Sequence, residues 1–284
     1  MYELYDPLRK PLVRRLWTIA AVVAAVVSVL PLLWITLTAF KPPSGIFRGL
    51  FPLTWQAIVP APVTLDNFTA LFASSFPLAL FNSVFVVTVS VAVGLLLSSL
   101  AAYGLAIFNF RGLSILFAVI VVSFLIPFDA VAIPLAEVFR AVGLNNTYLG
   151  LILPGIGNGF AIFLLRQFFL GIPRELIEAA RVDGMSELRI YWTIVLPMSK
   201  PALVSAAQLL FVFQWQSFLW PLLIATDPRL TVAPVALASF AGQFEVNFGL
   251  MFAGCVVTVL VPIAVLLYAQ RYFATSVAST GSKG

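Results

Sequence analysis

The sequence predicts an all-α membrane protein with six transmembrane helices. Of its 284 residues, 62% are hydrophobic and only 10% are charged, whereas a soluble domain carries roughly 25% charged residues. The apolar residues form six runs, each close to the ~20 residues that a helix needs to cross a bilayer. These runs are continuous, whereas membrane β-strands would appear as segments of alternating polarity. The composition therefore excludes a water-soluble enzyme, a disordered regulator and a nucleic-acid-binding domain.

The predicted spans follow one another within a single transmembrane domain, residues 1–284. They cover residues 16–40, 81–108, 113–135, 148–170, 201–225 and 248–270. The first apolar run is longer than the ~7–15 residues of a signal-peptide core, so we expect an uncleaved first helix. Pro127 and Pro134 lie near the end of the third span, and residues 136–147 are predicted to form a separate short surface helix.

The positive charges predict the orientation of the spans. Of the 16 lysines and arginines, 12 lie on one side of the predicted topology and 4 on the other. Since basic residues accumulate in cytoplasmic loops, the richer side is predicted to be cytoplasmic, with both termini inside. Membrane topology therefore explains the net charge of +5, and no nucleic-acid partner is predicted.

The chain lacks the residues that most catalytic and metal sites require. It contains no histidine and a single cysteine, Cys255, so neither a histidine-based nor a cysteine-based metal centre is predicted. None of its lysines closes a Gly-x4-Gly-Lys-Ser/Thr phosphate-binding loop, so the chain cannot hydrolyse a nucleotide by the usual route. We predict no catalytic residue, no metal and no cofactor in this chain. Any uphill transport would draw its energy from another subunit, docked on the cytoplasmic side.

Residues 171–200 form the only sizeable polar element between the predicted spans. Glu175 falls in the first turn of a predicted helix, where the helix dipole favours a carboxylate. Gly184 permits a sharp turn of the backbone. A second helix is predicted over residues 186–195, ended by Leu196-Pro197. The segment is therefore expected to form a helix-turn-helix along the membrane surface.

The spacing of residues within this segment resembles a known family motif. Glu178-Ala179-Ala180 is followed by three residues and Gly184, then by nine residues, Ile194, one residue and Leu196-Pro197. This pattern resembles the EAA loop of the permease subunits of ABC-type, binding-protein-dependent importers. The stretches 143–147 and 220–222 resemble other parts of carbohydrate permeases of this kind. The resemblance extends along most of the chain, and the type it resembles is the smaller permease of maltose and glycerol-phosphate importers.

The resemblance implies the type I ABC importer permease fold, a bacterial cytoplasmic membrane location and a set of partners. These partners are two copies of an ATPase subunit that bind ATP and Mg²⁺, a second permease, an extracytoplasmic solute-binding protein and membrane lipid. The residues implied to couple the permease to the ATPase are Glu178, Ala179, Ala180, Asp183, Gly184, Ile194, Leu196 and Pro197. Glu178 is expected to make a charge contact with the ATPase, and the two alanines to allow close packing.

Polar side chains in the spans suggest a solute pathway. No Asp, Glu, Lys or Arg lies in the middle of a predicted span, which disfavours an ion-coupled pump and favours a neutral, hydroxyl-rich solute such as a sugar. The candidate pathway residues are Gln208, Gln214, Trp215, Gln216 and Asn82. Packing between helices explains the same residues. The alternatives are a permease of the same class for another small solute, or an energy-independent channel or scaffold, which leaves the motif in 171–200 unexplained.

Overall fold

The computed structural model of the chain describes residues 11–242 and 246–280. Its helices are α1 (Pro11–Ala39), α2 (Asp66–Ala73), α3 (Phe76–Ile107), α4 (Leu113–Leu125), α5 (Phe128–Ala141), α6 (Tyr148–Ile156), α7 (Gly159–Leu170), α8 (Arg174–Val182), α9 (Glu187–Ile190), α10 (Leu196–Met198), α11 (Lys200–Trp215), α12 (Leu219–Ile224), α13 (Ala233–Ser239) and α14 (Phe248–Thr280). In this part of the chain, strand pairing is limited to one bridge between Ala241 and Val246. The predicted all-α fold class is confirmed there. The predicted position of the termini concerns residues 1–10 and 281–284, which lie outside the described residues.

Among the described residues, the number of candidate membrane spans lies between three and six. Three helical stretches are long and apolar enough to cross a membrane alone: Val13–Ala39, Phe76–Ile107 and Phe248–Gln270. Three helix pairs reach the same length only if each bent pair counts as one span: α4 with α5 (96°), α6 with α7 (42°), and Glu187–Met198 with α11 (84°). The chain is therefore a multi-pass membrane protein, while the total of six stays a prediction.

The predicted third span, 113–135, is not one continuous helix. The helix breaks at Ile126-Pro127, where Ile126 has an extended backbone (φ −74°, ψ 120°). The ring of a proline disfavours helical geometry in the preceding residue, which explains the break. After it, α5 continues past Leu135 to Ala141, so the separate surface helix predicted over 136–147 is also wrong.

Three other predicted boundaries need correction. The predicted fourth span, 148–170, is interrupted at Gly157-Asn158, where the Asn158 side chain caps α7 by accepting a hydrogen bond from the Ala161 N–H at 2.9 Å. The predicted fifth span, 201–225, is interrupted between α11 and α12. Pro197 does not end the second helix of 171–200. It lies in the first turn of α10 after a π-helical turn, a position where a missing N–H costs little.

The chain divides into two compact units. One contains Met1–Ser74 and Phe240–Val257, and the other contains Ser75–Ser239 and Thr258–Gly284. In the first unit, Ala39, Ile46 and Phe252 form the buried centre of a small core. Residues 14–33 of α1 are exposed all the way round. This helix therefore presents an apolar surface that the unit does not itself cover, and the single-domain prediction stays a prediction.

The second unit is organised around α3, which packs against α6, α7 and α11. Two buried clusters can be described among its residues. Ala102 and Tyr103 of α3 belong to the cluster that also contains the inner face of 171–200. Val86, nearer the start of α3, belongs to the cluster that contains Trp220 and Ile224 of α12. One continuous helix therefore joins the 171–200 segment to the packing around α12.

Candidate functional site

The 171–200 segment consists of two helical pieces joined by a glycine turn. Gly184 follows α8 and has φ +76°, in the left-handed region. The Met185 N–H donates to the Ala180 carbonyl at 3.0 Å, and the Gly184 N–H donates to the Arg181 carbonyl at 3.0 Å. These two bonds close the helix in a Schellman motif. A side chain at this position would raise the free energy of the folded state by about 1–2 kcal/mol. The backbone geometry therefore explains why the motif has a glycine here.

One face of the segment is buried in the chain's own core. Its buried side chains include Ile177, Ala180, Ile190, Tyr191 and Val195, all 5% exposed or less. They belong to the cluster that includes side chains of α3 and α7, and Ile194 and Leu196 pack against it half-buried. The small side chain of Ala180 therefore lets α8 approach the permease itself, which leaves Ala179 as the exposed alanine of the motif.

Polar contacts hold the segment against α3. The Tyr103 hydroxyl donates to Oε2 of Glu187 at 2.8 Å, and Nε of Arg181 donates to Oε1 of the same carboxylate at 2.6 Å. The hydroxyls of Ser99 and Tyr191, both buried, lie 2.6 Å apart. The hydrogen bond to Glu187 raises the pKa of Arg181 above its ordinary value. Two successive turns of α3 are thus joined to the second helical piece of the segment, and Arg181 joins the first piece to it through Glu187. We call these five residues the α3 anchor.

The opposite face of the segment is exposed. The motif residues on it are Glu178, Ala179, Asp183, Gly184 and Pro197. The most exposed of its large apolar side chains are Val182 (88% exposed), Leu188 (66%) and Trp192 (51%). Uncovered apolar side chains next to charged ones are typical of protein interaction sites. The outer face therefore has the chemistry of a docking surface.

A second candidate region is a cavity of about 570 Å³ within the second unit. Three interruptions in helices line it: Ile126-Pro127, Gly157-Asn158 and Ser217, which lies between α11 and α12. We call it the break cavity. Its other lining residues are Ser123, Phe124, Phe128, Val131, Leu151, Pro154, Gly155, Gly159, Leu210, Phe213, Gln214 and Trp220. Apolar and aromatic walls with a few uncharged polar groups are the usual composition of a small-molecule site.

The amide of Gln214 lies against Gly155 in the wall of the break cavity. A Cβ added to Gly155 would come within 2.9 Å of the Gln214 Cδ, so only glycine leaves room for this amide. The next residue, Ile156, is close to α3: a Cβ added to Gly94 of α3 would lie 3.3 Å from the Ile156 Cα. Hence α3 packs closely against the backbone beside the break at Gly157-Asn158. This contact lies about 13 Å along α3 from Tyr103, at a rise of about 1.5 Å per residue.

The five pathway candidates do not lie together. Gln214 is the one that lines the break cavity. Asn82 is fully buried, donates both amide hydrogens to the carbonyls of Arg229 and Thr231 at 2.9 Å, and accepts from the Tyr148 hydroxyl at 2.7 Å. It holds a loop in place and has no amide hydrogen left for a solute. Of the others, Gln208 is half-buried, Trp215 is buried and Gln216 is exposed.

Sequence reasoning missed the α3 anchor and most of the cavity wall. Tyr103 and Glu187 are 84 positions apart, and no local pattern connects residues at that distance. Ser123 and Ser217 carried no signal either, because isolated serines are common in apolar helices. Pro127 was a visible signal for a break, but the sequence did not show that three breaks would meet at one place.

Comparison with known proteins gives the family. Residues 94–279 match the model of the "binding-protein-dependent transport system inner membrane component". The chain is 34% identical over 276 residues to the arabinooligosaccharides transport system permease protein of Halalkalibacterium halodurans, covering 96% of this chain and 98% of the relative. It is 32% identical over 273 residues to the trehalose transport system permease protein of Mycobacterium tuberculosis, covering 94% and 97%.

A solved structure shares the fold. It is a bacterial ABC transporter involved in import of the acidic polysaccharide alginate, with a TM-score of 0.81, 20% identity, and coverage of 96% of this chain and 99% of that chain. The resemblance to permeases of carbohydrate ABC importers, predicted from the EAA pattern, is confirmed by these relatives, which are permeases rather than enzymes. The chain therefore belongs to the family of binding-protein-dependent transport system inner membrane components.

Proposed function

We propose that this chain is the permease subunit of an ATP-driven carbohydrate importer of the bacterial cytoplasmic membrane. The outer face of the 171–200 segment carries the proposal, because it places Glu178 in solvent among uncovered apolar side chains. The family and the sugar-transport names of the relatives support the same function. The segment faces the cytoplasm in this proposal, with both termini on that side.

Two copies of an ATPase subunit drive the cycle, and they hold the ATP and Mg²⁺ that this chain does not bind. One ATPase docks on the outer face of 171–200. Glu178 makes a charge contact with it, Ala179 allows its close approach, and Val182 and Trp192 become covered. Asp183 and Gly184 form the turn between the two helical pieces. Ile194 and Leu196 set the position of the second piece against the core, and Pro197 lies on its outer face.

A second permease subunit completes the membrane pathway, and a solute-binding protein delivers the sugar from outside. The exposed side chains of residues 14–33 support the need for a membrane-embedded neighbour, because nothing in their own unit covers them. Lipid and the second permease share this surface. Solute passes between the two permeases, and Gln208, Gln214 and Gln216 contribute polar groups to the path.

The test is purification of the tagged chain from its native host in mild detergent, together with uptake of labelled arabinotriose and trehalose by the same cells. We expect an ATPase and a second permease to travel with the chain, and ATP-dependent uptake of at least one sugar to require it. A chain that purifies without an ATPase, even after crosslinking of the 171–200 segment, would instead indicate a channel or scaffold. Purification with an ATPase but uptake of neither sugar would indicate an importer for another small solute.

A further inference from the structure

Three broken helices meet at the break cavity, and this convergence has a physical consequence. Irregular backbone at membrane depth is tolerated only where it is buried in protein or lines a polar cavity, because lipid cannot satisfy its hydrogen-bonding groups. The breaks at Pro127, Gly157-Asn158 and Ser217 all face the same cavity of about 570 Å³. Small-molecule sites occupy roughly 300–1,000 Å³. The cavity therefore has the size and the backbone chemistry of a solute site.

The polar groups of the cavity match hydroxyl groups rather than charges. No lining residue is charged, so an anionic solute would lie in the cavity without compensation. The Gln214 amide has two donors and one acceptor, and no other described residue makes a hydrogen bond to its side chain. Phe124, Phe128 and Phe213 supply apolar faces in the same wall, which suit the CH faces of a sugar ring.

The residues around Gln214 leave room for its side-chain amide. Gly155 leaves space for the amide because any larger residue would put a Cβ against it. The backbone beside Gly155 also packs on Gly94 of α3, whose later turns carry Ser99 and Tyr103 of the α3 anchor. The 171–200 segment and the backbone beside Gln214 therefore both pack on α3.

We propose that the break cavity is a binding site within this subunit for a neutral, hydroxyl-rich solute, that the Gln214 amide hydrogen-bonds this solute, and that the uncharged lining selects against anionic solutes. This proposal rests on the proposed function, because an importer of that kind would bring a sugar to the cavity. It goes beyond that function by assigning solute contact to this permease and by naming the cavity and the residue responsible.

The test uses a reactive cysteine at the cavity wall. The full chain, with Cys255→Ser and Ser217→Cys, is labelled by N-ethylmaleimide in membranes together with its partners, in the presence of trehalose, arabinotriose or glucuronate. We expect a neutral sugar at about ten times its dissociation constant to slow labelling roughly tenfold, by mass action. Glucuronate is expected to leave the rate unchanged. Ser205→Cys on the same helix, outside the cavity lining, is the control and is expected to show no protection.

Adding Gln214→Leu to the Ser217→Cys chain is expected to abolish the protection, and Gln214→Asn to retain part of it. The proposal is overturned if neither neutral sugar protects Ser217→Cys, as for a cavity filled by lipid, if glucuronate protects equally, or if Gln214→Leu leaves protection intact. Co-purification of the ATPase with these variants is scored separately. A chain that shows sugar protection without an ATPase would contradict the proposed importer while supporting the site.

Discussion

In the 171–200 segment, the Glu187 carboxylate accepts hydrogen bonds from Tyr103 and Arg181, whereas in the break cavity the Gln214 amide bonds to no other described residue. The first region is held by its polar groups on one face and exposed on the other. The second contains the Gln214 amide, which has no hydrogen-bond partner among the described residues and lies among apolar walls. The comparison teaches that polar side chains in this unit have two distinct uses. The paired groups of the α3 anchor position a surface, and the unpaired Gln214 amide is available to a solute in our proposal.

The largest effect is expected on the outer face of the segment. Glu178→Lys should lower sugar uptake roughly a hundredfold, because reversing one member of an interfacial charge pair costs about 2–5 kcal/mol. Membrane insertion should be unchanged, since Glu178 is exposed. Uptake by cells and the amount of ATPase that purifies with the variant are measured together. Glu137→Lys is the control, because it makes the same charge change at an exposed ion pair with Arg140. Normal uptake by Glu178→Lys would exclude the docking role.

The turn between the helical pieces is the next most sensitive position. Gly184→Ala is expected to destabilise the segment by about 1–2 kcal/mol, because φ is +76° there and a side chain is unfavourable in that region. Gly104→Ala in α3 is the matched control, since a Cβ meets nothing within 4 Å at either position and Gly104 is in a helix. The rate of trypsin cleavage within 171–200 should rise roughly tenfold for Gly184→Ala only. Equal rates for the two variants would mean that the turn is not under this constraint.

A substitution in the break cavity should affect sugar uptake and ATP hydrolysis differently from a substitution in the 171–200 segment. Gln214→Leu is expected to reduce uptake at saturating sugar roughly fivefold, about 1 kcal/mol, while ATP hydrolysis by the purified complex stays close to normal. The reason is that the substitution removes a solute contact and leaves the outer face of 171–200 intact. Ser205→Ala, on the same helix and outside the cavity lining, is the control. A parallel loss of uptake and hydrolysis would place Gln214 in packing and remove the contrast between the two regions.

The smallest effect is expected in the α3 anchor. Tyr103→Phe removes one hydrogen bond to a carboxylate that is 39% exposed, so the cost should be about 1 kcal/mol. Glu187→Gln should cost a similar amount, because it removes the charge that strengthens the same bond. The double variant should therefore cost less than the sum. The trypsin cleavage rate within 171–200 measures all three. Strict additivity would show that Tyr103 and Glu187 do not act as a pair.

Local patterns accounted for a definite part of this protein. Long apolar runs predicted α1, α3 and the start of α14 within a few residues. In each of these places a single unbroken helix is long enough to cross a bilayer. The Glu-Ala-Ala and glycine spacing located the two-helix segment 171–200, because a left-handed glycine and a short polar helix leave a local signature. The breaks at residues 126–127, 157–158 and 216–218 were read as parts of continuous spans, because polar interruptions of two or three residues hardly change the apolar average.

The sequence by itself determined that the chain is a helical membrane protein, where its main polar segment lies and which family motif that segment carries. These properties follow from composition and from spacings of a few residues. Only the tertiary structure decided that Ala180 faces inward while Ala179 faces outward, that Asn82 binds a loop, and that Tyr103 meets Glu187. The same is true of the meeting of three helix breaks around Gln214. Each of these depends on which distant helices pack together, and contacts between distant residues leave no periodic trace in a single sequence.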